Sequence, residues 1–266
     1  MDLELKGRVA LITGGSRGIG KAIARELALE GCDVAVAARG QDALDATARE
    51  ISQQTGRKAV PVQVDTGSDA SVKAMVEKTV AALGRLDILV NCAARPGGQG
   101  PVPSLAEITE AAFFEDMNVK VMGYLRCARE AAPHMRRQGW GRIINISGLA
   151  ARNSGSTIGS MRNVAVAALT KNLADELGPH GTNVTCVHPG LTRTEATSAV
   201  IARRAATEAV SAAEIERRMA EGNSVRRIIE AQDIARIVVF LASPKSVAIN
   251  GDTIAAGGGV GRAIHY

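Results

Sequence analysis

Thr13-Gly14-Gly15-Ser16-Arg17-Gly18-Ile19-Gly20 is the stretch on which the reading of this chain turns. It follows an apolar run, Val9-Ala10-Leu11-Ile12, and opens an amphipathic helical pattern. A buried strand, a glycine turn and a helix start, in that order, build a cradle for an anion. The first backbone N–H groups of a helix have no partner of their own, and the helix dipole adds positive potential there. Gly14 is the position suited to φ > 0, and Gly18 and Gly20 let backbone and helix close on a phosphate group. With Ser16, Arg17 and Ile19 they form the first candidate binding set.

On either side of this turn, apolar β-branched runs alternate with helical patterns. Strands are expected at Val9–Thr13, Asp33–Ala38, Val60–Val64, Leu86–Val90, Arg142–Ile146, Asn183–Val187 and Thr253–Ala255. Their continuous apolarity suits strands buried on both faces. Helices are expected near 18–30, 42–55, 69–83, 110–137, 158–178 and 231–242. This alternation predicts an α/β fold, a Rossmann-type doubly wound parallel sheet in three α/β/α layers with right-handed crossovers. No linker, repeat or low-complexity tract divides the chain, so residues 1–266 read as one domain. Residues 95–109, with Pro96, Gly97, Gly98, Gly100, Pro101 and Pro103, read as a loop. Residues 193–230 read as an Arg- and Ala-rich helical insertion placed where a substrate lid would cover the carboxyl ends of the strands.

Bulk properties narrow the function classes. At 266 residues the chain can bury a sizeable core. There is no run of about 18 apolar residues to span a membrane, and Met1–Lys6 is short and acidic, unlike a signal peptide. Four scattered cysteines, Cys32, Cys92, Cys127 and Cys186, read as reduced thiols of a cytoplasmic protein. The formal charge is +5, but one Trp, two Tyr and three Phe leave no aromatic-studded basic strip, so nucleic acid is not an expected partner. A polyanionic cofactor accounts for the excess charge equally well. His134, His180, His188 and His265 are dispersed, and no metal site is expected.

The second strand ends Ala37-Ala38-Arg39, without the acid that accepts from a ribose 2′-OH in NAD-selective sites. Arg39 and Arg17 instead offer two guanidiniums to a 2′-phosphate; the plain alternative is two solvated arginines. The preferred cofactor is therefore NADP(H), with NAD(H) a second candidate.

With these landmarks in place the chain resembles the single-domain short-chain dehydrogenase/reductase family, from Gly7 to Gly259. The glycine turn matches T-G-x-x-x-G-I-G. Asp65, ending the third strand, stands where the family contacts the adenine amino group, with Thr66 beside it. Asn91-Cys92-Ala93-Ala94 stands at N-N-A-G. Pro189-Gly190-Leu191-Thr192-Arg193-Thr194 matches P-G-x-x-x-T, which holds the nicotinamide amide, and Phe240–Ser243 and Asn250–Asp252 match the C-terminal landmarks. The resemblance implies a cofactor set that includes Asp65, Thr66, Asn91, Ala93, Pro189, Gly190, Thr192 and Thr194. It also implies hydride transfer between nicotinamide and a small carbonyl/alcohol substrate. Assembly into homodimers or homotetramers would run through the helices at 110–137 and 158–178, where Ala165, Ala168, Leu169 and Leu173 supply an apolar face.

The family's Asn, Ser, Tyr and Lys are the point of departure. Anchored on Ala168-Leu169-Thr170-Lys171-Asn172-Leu173, the Tyr position is Gly159 and the Lys position Asn163. Anchored on Arg142–Ile146, the Ser position is Gly148, with Ser147 one residue early. Counting back from Pro133-His134-Met135, the Asn position is Lys120, with Asn118 the rival match. Asn and Lys have thus exchanged places, at two positions that in the family face each other across a water. Lys120, Ser147 and Asn163 are the catalytic candidates. For Lys120 the alternatives are acid–base chemistry and a plain structural exchange. Ser147 reads as a substrate or water hydrogen-bonder. Tyr124, one helical turn on from Lys120, is either a displaced phenol or a core or interface tyrosine, the latter favoured. His188 reads as a structural hydrogen-bonder. The arginine pairs at 203–204, 217–218 and 226–227 read as mixed-charge helix faces, or else as selectors of an acidic or thioester-carrier substrate.

Overall fold

A computed structural model of the chain describes residues 1–94 and 102–261. Residues 95–101 of the expected loop, with Pro96, Gly97, Gly98, Gly100 and Pro101, lie outside the described residues. In chain order the elements begin β1 (Val9–Thr13), α1 (Gly18–Leu29), β2 (Asp33–Ala38), α2 (Gln41–Thr55), β3 (Ala59–Gln63), α3 (Asp69–Leu83) and β4 (Ile88–Asn91). They continue with α4 (Glu110–Met117), α5 (Gly123–Gln138), β5 (Gly141–Ile146), α6 (Thr157–Leu177), β6 (Thr182–Pro189), β7 (Thr192–Arg193), α7 (Thr197–Glu208), α8 (Ala212–Glu221), β8 (Ile229–Glu230), α9 (Ala231–Ala242) and β9 (Thr253–Ala256). The main sheet runs β3-β2-β1-β4-β5-β6-β9 with every pairing parallel. Strand order reverses between β1 and β4, the point at which such sheets place a ligand crevice at their carboxyl ends.

Alternate residues of each strand feed opposite layers. Ala10 and Ile12 of β1 pack with Ile23, Leu27 and Val238 on one face, while Leu11 packs with Met75, Cys127 and Ile143 on the other. Both faces are buried, which is why the strands read as unbroken apolar runs.

Some boundaries differ from expectation. β4 is Ile88–Asn91 rather than Leu86–Val90, because the Asp87 carboxylate takes the Val9 N–H at 2.9 Å and the Arg85 guanidinium, leaving the strand to start two residues later. β6 runs on through Pro189, which pairs with Ala256. The single helix expected over 110–137 is divided. Between α4 and α5 the turn Asn118–Met122 is a π-helix. Side chains compete for its carbonyls: Thr66 Oγ1 donates to Val119 O and Arg126 Nη1 to Asn118 O, both at 3.1 Å. Such insertions open an i→i−4 ladder.

The segment after β6 is closed at its base by pairing of β7 with β8. Its helices α7 and α8 enclose a small core of Ile201, Ile215, Met219 and Ile228. Arg217 pairs with Glu214 and Glu221, Arg218 with Glu208 and Glu214, and Arg227 with Asp233, following the mixed-charge reading of these arginines.

Candidate active site

The anion cradle forms at the carboxyl end of β1. Gly14 has φ +68° and Gly18 φ +55°. A Cβ on Gly14 would stand 2.9 Å from Cys92 O, and one on Gly20 only 2.2 Å from Gly14 O, so the turn closes on glycine alone. Thr13 Oγ1 accepts the N–H groups of Cys92 and Ala93 at 3.1 and 3.2 Å, locking β1 to the end of β4. Helix α1 has no side-chain N-cap of its own and no acid in its first turn. Its Gly18 N–H is met instead by the Glu195 carboxylate, at 3.0 and 3.3 Å, from the segment after β7. Arg17 and Arg39 are exposed, and Ser16 and Ile19 are half-buried. Asp65 is exposed, with Oδ1 accepting from Gly67 N–H at 2.9 Å. Thr66 is buried and tied to the π turn.

The reacting end lies between the π turn, the end of β5 and α6. Lys120 is 3% exposed, and its Nζ donates to Ser147 O and to Asn163 Oδ1, each at 3.0 Å. Ser147 Oγ donates to Asn163 O at 3.0 Å. These bonds bind β5, α6 and the π turn at one point. Burial, followed by the charge of Arg162, pushes the Lys120 amine down to about 7, against the opposing influence of Cys92, Cys186 and Asp116. His188 is pushed down to about 4, by burial first and then by Arg152 and Lys120. Its neutral ring accepts the Gly148 N–H through Nδ1 at 3.2 Å. Burial raises the Cys92 and Cys186 thiols to about 11.

Residues 14–261 match the family model described as enoyl-(acyl carrier protein) reductase. The short-chain reductase protein NovJ of Streptomyces niveus is 37% identical over 252 residues, covering 94% of this chain and 93% of that protein. This chain belongs to the short-chain dehydrogenase/reductase family. The 7alpha-hydroxysteroid dehydrogenase of Escherichia coli K12 is 33% identical over 97% of this chain and 96% of that one. Among solved structures, L-sorbose reductase from Gluconobacter frateurii, complexed with NADPH and L-sorbose, superposes with a TM-score of 0.93 at 29% identity. It covers 99% of this chain and 100% of that one.

Within this short-chain dehydrogenase/reductase the three catalytic candidates meet in one hydrogen-bonded cluster. Lys120 and Asn163 touch directly, where a water-spanned separation was expected. The Ser147 hydroxyl is committed to the α6 backbone rather than free to meet a substrate. A Cβ on Gly148 would come within 2.9 Å of Asn163 Nδ2, so the residue beside Ser147 is small because Asn163 fills the space. Asn118 turns away: its Nδ2 donates to Gly67 O at 3.4 Å. Tyr124 is a core tyrosine whose hydroxyl donates to Ile146 O at 2.8 Å. Asn91, fully buried, donates through Nδ2 to Asn145 Oδ1 at 2.9 Å. Pro189 ends β6, Gly190 N–H donates to Ala256 O at 3.2 Å, Thr192 Oγ1 donates to Gly190 O at 3.0 Å, and Thr194 N–H donates to Thr197 Oγ1 at 2.9 Å. Sequence reading missed Asp116, Arg162 and Glu195. Only Glu195 carried a local signal, its place directly after the P-G-x-x-x-T segment.

Proposed function

We propose that this protein is an NADP(H)-dependent oxidoreductase that interconverts a small carbonyl compound and its alcohol, with Lys120 as the proton donor and acceptor. The close glycine turn and the α1 start, whose Gly18 N–H already holds the Glu195 carboxylate, fit a dinucleotide pyrophosphate. Arg17 and Arg39 fit a 2′-phosphate, Asp65 and Thr66 the adenosine end, and Pro189, Gly190, Thr192 and Thr194 the nicotinamide end. A bound reduced nicotinamide would supply the hydride.

The observation that carries the catalytic assignment is the hydrogen bonding of Lys120. Its two acceptors, Ser147 O and Asn163 Oδ1, are both neutral, and Asp116 is already engaged by Arg162. An ammonium group has three N–H bonds. Two are held by these acceptors, and the third, with no acceptor of its own among the described residues, is available to a substrate oxygen. After donating it, the neutral amine still satisfies both acceptors, so proton transfer requires no rearrangement of the cluster. An amine titrating near 7 suits this work at neutral pH. Ser147 and Asn163 then act by orienting Lys120.

The residues at the usual phenol and lysine positions, Gly159 and Asn163, favour one rival: a protein that binds NADP(H) as a sensor or structural subunit without turnover. Single-turnover NADPH oxidation across a panel of ketones and quinones separates the two. The catalytic reading expects turnover in the unmodified protein and its loss in Lys120→Met, with NADPH affinity held within about tenfold, or about 1.4 kcal/mol. Unchanged rates in Lys120→Met remove Lys120 from the mechanism. We further infer a homodimer or homotetramer, a reduced cytoplasmic setting suited to the four free thiols, and a lid role for α7 and α8.

A further inference from the structure

Two adjacent rungs tie the α4–π-turn segment to α6. One is the Lys120–Asn163 hydrogen bond. The other is an ion pair in which Arg162 Nη1 meets both oxygens of Asp116, at 2.7 and 2.8 Å. Arg162 directly precedes Asn163, and Asp116 lies four residues before Lys120. The two side chains are 10% and 14% exposed. A buried ion pair adds little stability over well-packed apolar side chains, so holding two helices together does not by itself account for it. Arg162 Nε is also buried without a hydrogen-bond partner among the described residues. Asp116 therefore meets the guanidinium through Nη1 and leaves Nε unengaged.

The other groups facing Lys120 are Cys92 from the end of β4, Cys186 and His188 from β6, and Tyr124 from α5. All four are neutral at neutral pH: both thiols and the phenol are pushed upward by burial, and the imidazole is pushed downward. Among the described residues, the charged side chains acting on the amine are Asp116 and Arg162. We propose that Asp116 and Arg162 are the positioning pair of Lys120: their ion pair, between the residue next to Asn163 and the one four residues before Lys120, fixes α6 where Asn163 Oδ1 meets Nζ. A carboxylate and a guanidinium beside an amine act on its charge in opposite senses. The assignment rests on the acid–base role given to Lys120 above, and it adds two residues that act through Lys120.

The test is the titration of Lys120 itself. Protein labelled with 13Cε,15Nζ-lysine is followed by NMR from pH 5 to 10, the Lys120 resonance being assigned by its loss in Lys120→Arg. Arg162→Met should raise the titration midpoint and Asp116→Asn should lower it, each by about one unit or more, the scale of a neighbouring charge. Opposite signs are the diagnostic result. A merely structural clamp, once loosened, admits water to the amine in both variants and raises both midpoints; that outcome, or no shift in either, overturns the proposal. Where Arg162→Met fails to fold, Arg162→Gln is made in the Asp116→Asn background, keeping a neutral hydrogen-bonded rung. Its midpoint must lie above that of Asp116→Asn alone, and equal midpoints overturn the proposal. Because the readout is titration rather than turnover, a Lys120 without a catalytic role and a pair without influence on it give separate results.

Discussion

Removal of the Lys120 amine should change how the stability of this protein depends on pH. The amine is almost completely buried and is pushed from an ordinary 10.5 down to about 7. Between those values the unfolded chain binds a proton that the folded chain has shed, so stability rises with pH across the window. Below about pH 7 the folded protein carries the whole cost of a buried ammonium. Above 10.5 it carries none. Worked through the linkage relation, the unmodified protein gains about 3–4 kcal/mol from this one group between pH 7 and pH 10. Lys120→Met removes the gain. It also strands Ser147 O and Asn163 Oδ1, at about 1–3 kcal/mol each, but that loss does not vary with pH. The assay is urea unfolding of both proteins at half-unit steps from pH 7 to 10. The difference between them cancels other titrations, including the raised thiols, which work in the opposite direction as pH climbs. Lys120→Met should lose ground to the unmodified protein by about 3–4 kcal/mol over this range. A difference that stays flat within about 1 kcal/mol would mean that the amine remains charged in the folded protein, and the reasoning that makes it a base at neutral pH would fail.

Arg39→Asp should invert the preference for NADPH over NADH by about 1–3 kcal/mol, the scale of charge-assisted bonds to a phosphate; equal affinities of the unmodified protein for the two cofactors in calorimetry would refute the role of Arg39. Gly20→Ala places a methyl group where a Cβ stands 2.2 Å from Gly14 O. It should cost about 1–3 kcal/mol of stability and weaken NADPH binding at least about tenfold, and wild-type affinity in the variant would show that the turn is not the cradle. Met161 and Val164 on α6 are 50% and 51% exposed. Light scattering at micromolar concentration should show a dimer or tetramer that Val164→Glu dissociates, and a monomeric unmodified protein would refute the interface.

The fold was written locally. Each strand of the main sheet is a short, largely apolar run bounded by polar or glycine-bearing turns, and the helices between them repeat apolar residues at helical spacing. These are nearest-neighbour properties that survive without tertiary knowledge. The phosphate turn was legible for the same reason: Gly14, Gly18 and Gly20 lie within seven consecutive residues, and their need for glycine follows from one turn. The exchange of Lys120 and Asn163 could also be read by counting from flanking landmarks.

The state of Lys120 was decided by the tertiary structure. Burial, two neutral acceptors and a carboxylate already taken by Arg162 come from β5, α4 and α6, spread from Asp116 to Asn163, and no spacing rule in the chain links them. The break in the long helix was equally hidden, since the competitors for its carbonyls, Thr66 and Arg126, reach the turn only after folding. Ser147 looked free at a strand end until α6 packed over it and took its hydroxyl. Periodicity reports which face of an element is buried. What that face meets, and therefore which proton it holds, is settled only when distant segments come within hydrogen-bond reach.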